Sequence, residues 1–381
     1  MTVRPLLERR VMAALDATPR RIPVLVGPCG SGRTSVLMRL REQFGRSACQ
    51  YVDVERVATT PERFLAALRT DSPFAPPSNA AALAPGATPR EAFDGLIAFL
   101  TGSRAPGGAA VTFLLDEALE LRTFESFPGL RTVLRDLIAA LGVSSNRFVL
   151  TSRYLMRAQR LLRDAPAQFE LITVSPLSAA ETHASLNDGR PASFDEDLTR
   201  AIHALADGRA LYVRYIASAT QDMKAHGPAD PVAALTDLLA REGALFAACR
   251  FCYELRLHRA RGYGALKAIL EVLAAEEPLT LTEIAHRLHR TPGSTKDYLS
   301  WLEDVDLVES RQKRYRFCDP LLRLWVRLHC RPAPVSDEEL AREVHTYAIA
   351  RLPQPGAPPA PEPTPALAMA GAASDGIIEI D

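Results

Sequence analysis

The stretch IPVLVGPCGSGRTSVL, residues 22–37, decides the fold. Its first five residues are apolar, and this length and composition predict a buried parallel strand from Ile22 to Val26. The strand leads into GPCGSGRT at residues 27–34, which fits the phosphate-loop pattern G-x-x-x-x-G-K-[ST] at every position except the lysine. Arg33 stands in the place of that lysine, and a helix over residues 33–44 is predicted to follow.

The glycine-rich segment has the chemistry that a polyphosphate needs. Its glycines let backbone N–H groups turn inward and approach the phosphates closely, because no Cβ obstructs them. The following helix points its positive N-terminal end at the same place, and the hydroxyl of Thr34 is of the kind that ligates magnesium. A glycine-rich turn without a ligand is the alternative. The predicted phosphate-binding residues are Gly27, Pro28, Cys29, Gly30, Ser31, Gly32, Arg33, Thr34 and Ser35.

A second apolar run, AVTFLLDE at residues 110–117, ends in two acids. In a phosphate-loop site the first such carboxylate holds magnesium through water, and the second takes a proton from the attacking water. We therefore assign Mg²⁺ to Thr34 and Asp116, and the role of general base to Glu117. The alternative is a buried strand whose first polar residues only mark its end.

A third run, RFVLTSR at residues 147–153, also ends in polar side chains. These lie at the carboxyl edge of the predicted sheet, where open parallel sheets bind their ligands. The hydroxyls of Thr151 and Ser152 are placed to orient the lytic water or contact the γ-phosphate. For Arg153 two interpretations stay open: it senses the γ-phosphate, or it caps a helix or pairs with an acid. Thr151, Ser152 and Arg153 thus join Glu117 as catalytic candidates.

Strand and helix patterns alternate from residue 22 to about residue 187. Further strands are predicted at 49–55 and 171–174, and helices near 60–69, 88–102 and 126–142. This alternation predicts an α/β doubly wound parallel sheet with helices on both faces. Residues 1–20 predict one more helix, which covers the sheet edge or the base of the nucleotide. Its apolar face comprises Leu6, Leu7, Val11, Met12 and Leu15.

The C-terminal part has a different pattern. Residues 192–247 are helical only, whereas residues 249–331 predict helix, helix, turn, helix and a two-stranded wing at 307–317, the order of a winged helix-turn-helix. Cations near the wing tip suit DNA phosphates, but the preceding helix has only Lys296 against four acids. DNA binding and a protein-contact role therefore both stay open. The wing cations are Arg311, Lys313, Arg314 and Arg316.

Composition limits the compartment and the general class. Lys plus Arg number 45 and Asp plus Glu number 45, so global charge does not indicate nucleic acid. No apolar run approaches the ~20 residues of a membrane span, and a signal-peptide core is missing, so we expect a cytoplasmic protein without a membrane partner. The six cysteines suit reduced thiols. Cys249 and Cys252 form a C-x-x-C, but no second pair follows at zinc-site spacing, which favours buried or half-buried thiols over a metal.

Four segments together resemble the STAND/AAA+ ATPases, in particular the archaeal-ATPase-like P-loop proteins with a C-terminal winged helix. They are VLVGPCGSGRTS, TFLLDE, VLTSR with the following SPLS, and YLSWLEDVDLVESRQKRYRFCDPLLRLWVRLH at 298–329. The resemblance covers roughly residues 1–331. It implies ATP as ligand, Mg²⁺ as its companion, and a switch in which nucleotide state repositions a helical lid and the winged helix. The predicted units are a P-loop domain at 1–187, the lid at 188–248, the winged helix at 249–331, and a Pro/Ala-rich disordered tail at 332–381, with an extended tether at 353–365.

The sequence also departs from that group. Arg33 keeps the lysine's charge but has a planar fork, which binds phosphate while placing it badly for transfer. The lid turn Gly208-Arg209-Ala210 lacks the group's proline. Two functions therefore stay open: an ATP-driven switch that hydrolyses slowly, or a non-catalytic nucleotide-binding regulatory scaffold. A protein partner or self-association is compatible with either.

Overall fold

The N-terminal half of the chain is built around a parallel sheet. The structure, a computed structural model, describes residues 4–74, 87–163, 165–166, 168–187, 194–224, 227–258 and 262–353. The strands are Ile22–Val26 (β1), Cys49–Asp53 (β2), Thr112–Asp116 (β3), Arg147–Ser152 (β4) and Phe169–Thr173 (β5). They pair in parallel in the order β2-β3-β4-β1-β5. The carboxyl ends of β1, β4 and β3 therefore lie side by side.

Helices cover both faces of this sheet. They are Pro5–Asp16 (α1), Arg33–Phe44 (α2), Val54–Val57 (α3), Pro61–Thr70 (α4), Pro89–Gly102 (α5), Val133–Val143 (α6) and Leu155–Leu162 (α7), with a 3₁₀ helix at Ala118–Ser126. Residues of α1 and α2 pack on Leu114 of β3. The neighbouring Phe113 points to the opposite face, where its ring stacks on Phe148 with centroids 5.8 Å apart. Both faces are buried, which explains the unbroken apolar strands and confirms the predicted α/β class.

The C-terminal part is helical with one small sheet. Its helices are Ala179–Asn187 (α8), Glu196–Ala206 (α9), Ala210–Lys224 (α10), Pro231–Leu239 (α11), Ala244–His258 (α12), Tyr263–Ala275 (α13), Leu281–Arg287 (α14), Pro292–Asp304 (α15), Pro320–His329 (α16) and Asp337–Ile349 (α17). Three short strands, Leu279–Thr280 (β6), Val308–Arg311 (β7) and Arg314–Phe317 (β8), form an antiparallel sheet in the order β6-β8-β7. From α13 to β8 the helices and the two wing strands follow the predicted order, and β6 is an additional strand before α14.

One hydrophobic core joins the helices of this C-terminal part. The buried cluster extends from Phe194 to Ala348 and also takes in Tyr154 and Leu177 from the sheet-containing part. The expected boundary between residues 248 and 249 falls inside α12. The segments predicted as a lid and as a winged helix thus share a core and a helix.

Two elements near the sheet begin or end elsewhere than predicted. The helix expected at 126–142 starts only at Val133, because the chain first forms the 3₁₀ helix and then turns at Pro128 and Gly129, whose φ is 77°. The strand expected at 49–55 ends at Asp53, whose carboxylate accepts a hydrogen bond from Arg56 N at 3.1 Å and caps α3. Glu55 consequently lies on a helix.

Two predictions for the chain termini are wrong in part. Leu6 is 67 % exposed, whereas Val11 and Leu15 are buried, so α1 covers a face of the sheet. The tail expected to be disordered from residue 332 contains α17, which buries Leu340 and Val344 in the C-terminal core. Apolar side chains four residues apart on a capped helix explain why this segment is helical and packed.

Some predictions fall outside the described residues. These are most of the loop expected between α4 and α5, and the chain beyond residue 353 with its expected tether. Among the helices that are described, none is long and apolar enough to cross a membrane.

Candidate functional site

The glycine-rich loop connects β1 to α2 at the sheet's carboxyl edge, beside the end of the central strand β4. Gly30 and Gly32 have φ values of 75° and 94°, which side chains rarely adopt. A Cβ on Gly30 would also lie 2.8 Å from the Cβ of Leu211 on α10. Leu211 N donates a hydrogen bond to Gly30 O at 3.0 Å. The loop therefore contains two glycines at positive φ, and α10 lies directly against it.

Three hydroxyl groups converge on Asp116 at the end of β3. Thr34 Oγ1 donates to Asp116 Oδ2 at 2.7 Å, and Tyr51 Oη donates to the same oxygen at 2.9 Å. Thr151 Oγ1 donates to Asp116 Oδ1. Asp116 is 4 % exposed, whereas Thr34 is exposed to solvent. An exposed hydroxyl beside a buried carboxylate, both oxygen donors, fits Mg²⁺, which binds few protein ligands and keeps several waters.

Glu117, the next residue, is held by its own partners. Its φ is 55°, and its N–H donates to Thr151 Oγ1 at 2.8 Å. One carboxylate oxygen pairs with Arg33, and the other accepts from Arg153 N at 3.0 Å. Burial acts to raise the pKa of Glu117, but the guanidinium groups of Arg33 and Arg153 outweigh it and lower the pKa. Thr151 therefore positions both acids, and Glu117 is held as an anion.

Arg33 turns its guanidinium into the loop. Nη1 donates to the carbonyls of Gly27 and Pro28, the latter at 2.6 Å, and to Ser31 Oγ at 3.2 Å. Nη2 donates to Glu117 Oε1. The side chain is 6 % exposed. The residue that replaces the lysine thus connects the loop's own carbonyls to the second acid.

The other two catalytic candidates have protein partners. Arg153 pairs with Glu55 and also lies 3.2 Å from Glu117 Oε2. Burial acts to lower the pKa of Arg153, but the acids around it raise the pKa. Ser152 is fully buried, and its Oγ accepts a hydrogen bond from Tyr154 N at 3.1 Å. Of the interpretations left open for Arg153, the structure contains the pairing with acids.

Sequence reasoning missed several residues of this site. Tyr51 contacts Asp116 because β2 is next to β3, and the strand order was needed to see it. Arg4 donates to Ser31 O at 3.2 Å from the start of the chain. No sequence signal marks that contact.

A buried polar cluster connects the turn at Gly208 to α16. Arg209 donates to Cys318 O at 2.7 Å and lies 3.5 Å from the carboxylate of Asp319. Tyr212 Oη donates to the same carboxylate at 2.7 Å. Gly208 has a φ of 65°, and a Cβ there would lie 2.6 Å from Leu177 O. The turn that lacks the proline is therefore fixed by its glycine and its arginine.

The wing carries fewer free cations than its sequence suggests. Arg311 and Arg316 both pair with Glu309, at 3.3 and 2.6 Å, and Arg314 lies 3.7 Å from Glu283. Lys313 is at the turn and has no ion pair within the described ranges.

The C-terminal end of α15 is docked on the sheet-containing part. Arg160 pairs with Asp304 at 2.5 Å, and Leu155 N donates to Asp306 at 2.8 Å. A cleft of about 1110 Å³ lies between α15 on one side and the 3₁₀ helix, the start of α6 and α7 on the other, with Trp301 in its wall. Its cationic lining residues are Arg122, Arg131, Arg135, Arg157 and Arg160.

Comparisons with known proteins agree on the fold. The sequence matches no protein-family model and no curated protein. It is similar to the solved structure of the Walker-type ATPase PABY2304 of Pyrococcus abyssi, with a TM-score of 0.63, 16 % identity, and 86 % of this chain and 96 % of that chain covered. It is also similar to the Aeropyrum pernix ORC2 protein, with a TM-score of 0.51, 15 % identity, and 91 % and 92 % covered. The chain has the fold of a P-loop ATPase.

Proposed function

We propose that this protein binds ATP with Mg²⁺ at the glycine-rich loop, hydrolyses it slowly, and uses the nucleotide as a switch. The observation that carries the proposal is the 2.7 Å contact between Thr34 Oγ1 and Asp116 Oδ2. It brings together a hydroxyl at the start of α2 and a carboxylate at the end of β3, beside a loop of glycines. These are the groups that a magnesium–polyphosphate complex requires.

Each part of the site has a role in this proposal. The backbone N–H groups of residues 27–35 hold the phosphates at the N-terminus of α2. Thr34 and Asp116 hold the magnesium, which when bound neutralises charge on the phosphates. Tyr51 and Thr151 fix the Asp116 carboxylate, and Glu117 is the base for the attacking water.

The ion pair between Arg33 and Glu117 makes the switch. A polyphosphate in the loop offers Arg33 new anionic partners, so nucleotide binding exchanges Glu117 for phosphate oxygens. Glu117 Oε1 is then free to accept a proton from water, whereas its other oxygen stays bound to Arg153. A base that is only half released, together with a planar guanidinium instead of an ammonium, explains slow turnover.

The loop is coupled to the C-terminal part through α10. Leu211 N bonds to the loop at Gly30, and Arg209, two residues earlier, interacts with Asp319 at the start of α16. A shift of the loop therefore displaces α10 and α16 together. We propose that this moves a helical lid at 188–248 and a winged helix at 249–331 relative to a P-loop domain at 1–187, as in a STAND-type switch.

The test is ATP and ADP binding with and without Mg²⁺, with phosphate release followed on the same samples. Glu117→Gln should retain binding and lose release. Arg33→Lys should raise release, and Arg39→Lys on the same helix, where Arg39 pairs with Glu8 at 3.0 Å, is the matched control and should change neither. Absence of ATP binding in the presence of Mg²⁺ would refute the proposal.

A non-catalytic regulatory scaffold is the second candidate, and the contacts of Arg33 favour it. With the loop carbonyls and Glu117 already occupied by one guanidinium, the site supports binding more readily than transfer. In that case the natural chain would bind ATP without releasing phosphate, and Arg33→Lys, which removes the guanidinium, would create release.

DNA binding where α15 meets the sheet-containing part is favoured by one observation, a cleft lined by five arginines of the sheet-containing part. Two of them, Arg122 and Arg160, pair with Glu125 and Asp304. The cations of the cleft add to Lys313, since the wing arginines are paired with acids. Phosphate contacts should give a salt dependence of about −0.9 in log affinity per phosphate neutralised. If charge reversal of Arg311, Lys313, Arg314 and Arg316 leaves DNA affinity and its salt dependence unchanged, the wing is not a DNA contact and a protein contact is favoured.

A further inference from the structure

The cleft between α15 and the sheet-containing part has cations that no acid holds. Arg131, Arg135 and Arg157 line it. None of the three has an ion pair or a side-chain hydrogen bond within the described ranges. Arg131 and Arg135 are exposed, and Arg157 is half-buried. Their positive charge is therefore available to an anion that enters the cleft.

The acids of the cleft do not cancel this charge. Five arginines and three acids line it. Two of the acids already have partners, since Glu125 pairs with Arg122 at 3.3 Å and Asp304 pairs with Arg160 at 2.5 Å. The third acid, Glu120, is 4 % exposed. With all three acids counted in full, the lining still has an excess of two positive charges.

A buried tyrosine in the same lining has an unused hydroxyl. Tyr154 is 2 % exposed, and its Oη has no hydrogen-bond partner among the described residues. The guanidinium carbon of Arg157 lies 4.6 Å from the centroid of the Tyr154 ring, and Arg157 Nε is likewise buried without an acceptor there. Buried polar groups are nearly always hydrogen-bonded. Two donors in contact with each other therefore favour a ligand with acceptor atoms, and anionic oxygen is the acceptor that suits a guanidinium best.

Trp301 gives the cleft an aromatic surface. It lies on α15, across the cleft from α7, and is half-buried. A positively charged groove with an aromatic side chain is how many proteins bind single-stranded nucleic acid, because every base has a face that can stack. A duplex keeps its bases stacked on each other and presents mainly its backbone. The combination of cations and an indole between packed helices therefore suits a single strand.

We propose that this cleft binds single-stranded nucleic acid, with phosphates on Arg131, Arg135 and Arg157 and a base stacked on Trp301. The proposal deepens the DNA-binding candidate and rests on it for the class of ligand alone. It does not depend on ATP, because none of the loop residues 27–35 lines the cleft. A nucleoside monophosphate has the same chemical groups but a single phosphate, so it binds more weakly than a strand.

The experiment measures the fluorescence anisotropy of a labelled strand of about 12 thymidines with the full-length chain at several salt concentrations. The variant Arg131→Ala/Arg135→Ala should lower the salt dependence of log affinity by about 1.4, because each phosphate contact of a single strand contributes about 0.7. At about 0.1 M salt this is a roughly 25-fold loss. The matched control is Arg46→Ala/Arg63→Ala, two exposed arginines outside the cleft without ion pairs in the described ranges, and it should bind as the natural chain does.

Tryptophan fluorescence tests the stacked base directly. The chain has two tryptophans, and Trp325 is 4 % exposed in the C-terminal core, so Trp325→Phe leaves Trp301 as the only reporter. The strand should quench this fluorescence with the affinity measured by anisotropy. If Trp325→Phe does not fold, the natural chain serves, because its other tryptophan is buried. Trp301→Leu should weaken binding by about 5- to 150-fold, with folding checked by circular dichroism.

Three results would overturn the proposal: equal binding by the cleft variant and its control, a duplex that binds as tightly as the strand, or thymidine monophosphate that competes as well as the strand. If a duplex binds through Lys313 and the cleft variant leaves that unchanged, the DNA-binding candidate stands and the cleft fails. ATP titration of the same samples separates the two proposals. A strand that binds a chain without ATP affinity leaves the cleft standing and the ATP site refuted, and ATP binding without strand binding is the reverse.

Discussion

Replacing Glu117 by glutamine should lower the stability of the folded protein and at the same time tighten its binding of ATP. The carboxylate lies between Arg33 and Arg153, and all three residues are under 10 % exposed. Breaking a buried ion pair costs about 3–5 kcal/mol, because a charge is left without its partner. Arg153 keeps Glu55, and the glutamine still offers an oxygen to Arg153 N, so we expect a loss of about 2–3 kcal/mol.

The gain in affinity comes from the same contact. In the natural chain a polyphosphate has to compete with Glu117 for Arg33. Glutamine has no charge and competes poorly, so the guanidinium is available to the phosphates from the start. Coupling between two sites is typically about 1–3 kcal/mol, which corresponds to roughly 5- to 150-fold in affinity.

Urea denaturation and ATP titration of the same preparations measure both effects. Glu42→Gln is the matched control, because Glu42 is exposed on α2, and a surface change of this kind stays within about 0.5 kcal/mol. Arg33→Met should lower the unfolding free energy less in the Glu117→Gln background than in the natural chain, since the ion pair is already lost there while the contacts of Arg33 with the loop carbonyls are lost in both. Weaker ATP binding by Glu117→Gln, or stability equal to that of the control, would refute this account of the loop.

Three further predictions concern the same edge of the sheet. Gly30→Ala should destabilise the protein more than Gly45→Ala. Both glycines have positive φ, but only a Cβ on Gly30 meets a neighbour. Equal losses of unfolding free energy in urea denaturation would show that the contact of Gly30 with α10 does not limit the side chain there. Tyr51→Phe should cost roughly 1–2 kcal/mol of unfolding free energy, because Asp116 loses a charged hydrogen bond, and should weaken Mg²⁺-dependent ATP binding; unchanged values in both assays would contradict that role. Since the pKa of Glu117 is lowered by folding, its stabilisation is fully present above its unfolded pKa of about 4.3 and is lost as the pH falls through the folded value. As the pH falls, the difference in unfolding free energy between the natural chain and Glu117→Gln should therefore become smaller. A difference that does not change with pH would argue against the ion pair.

The strands and the loop could be predicted because their signals are local. An apolar run of five residues that ends in glycines or acids has few structures open to it, so Ile22–Val26 was predicted at its observed ends. The two carboxylates were recognised for the same reason. Local patterns failed where the chain breaks its own periodicity, as at Gly129 before α6.

Contacts between distant segments were beyond the sequence. Tyr51 reaches Asp116 only because β2 and β3 are neighbours, and nothing in the sequence fixes that order. The partners of Arg33 follow from how its side chain turns once Glu117 is beside it. Sequence patterns therefore identified the groups, and the fold decided which of them pair.

The shared core from Phe194 to Ala348 has a consequence for how the protein unfolds. Helices that bury their apolar side chains in one cluster lose protection together, because none keeps its packing once the others have left. Amide hydrogen exchange should therefore report α10, α13 and α16 as one cooperative unit, with the same opening free energy. The sheet, whose two faces have cores of their own, should exchange as a second unit. A nucleotide that binds only the folded site would then slow exchange in the sheet first, and in the helices to the extent that the loop holds the two units together.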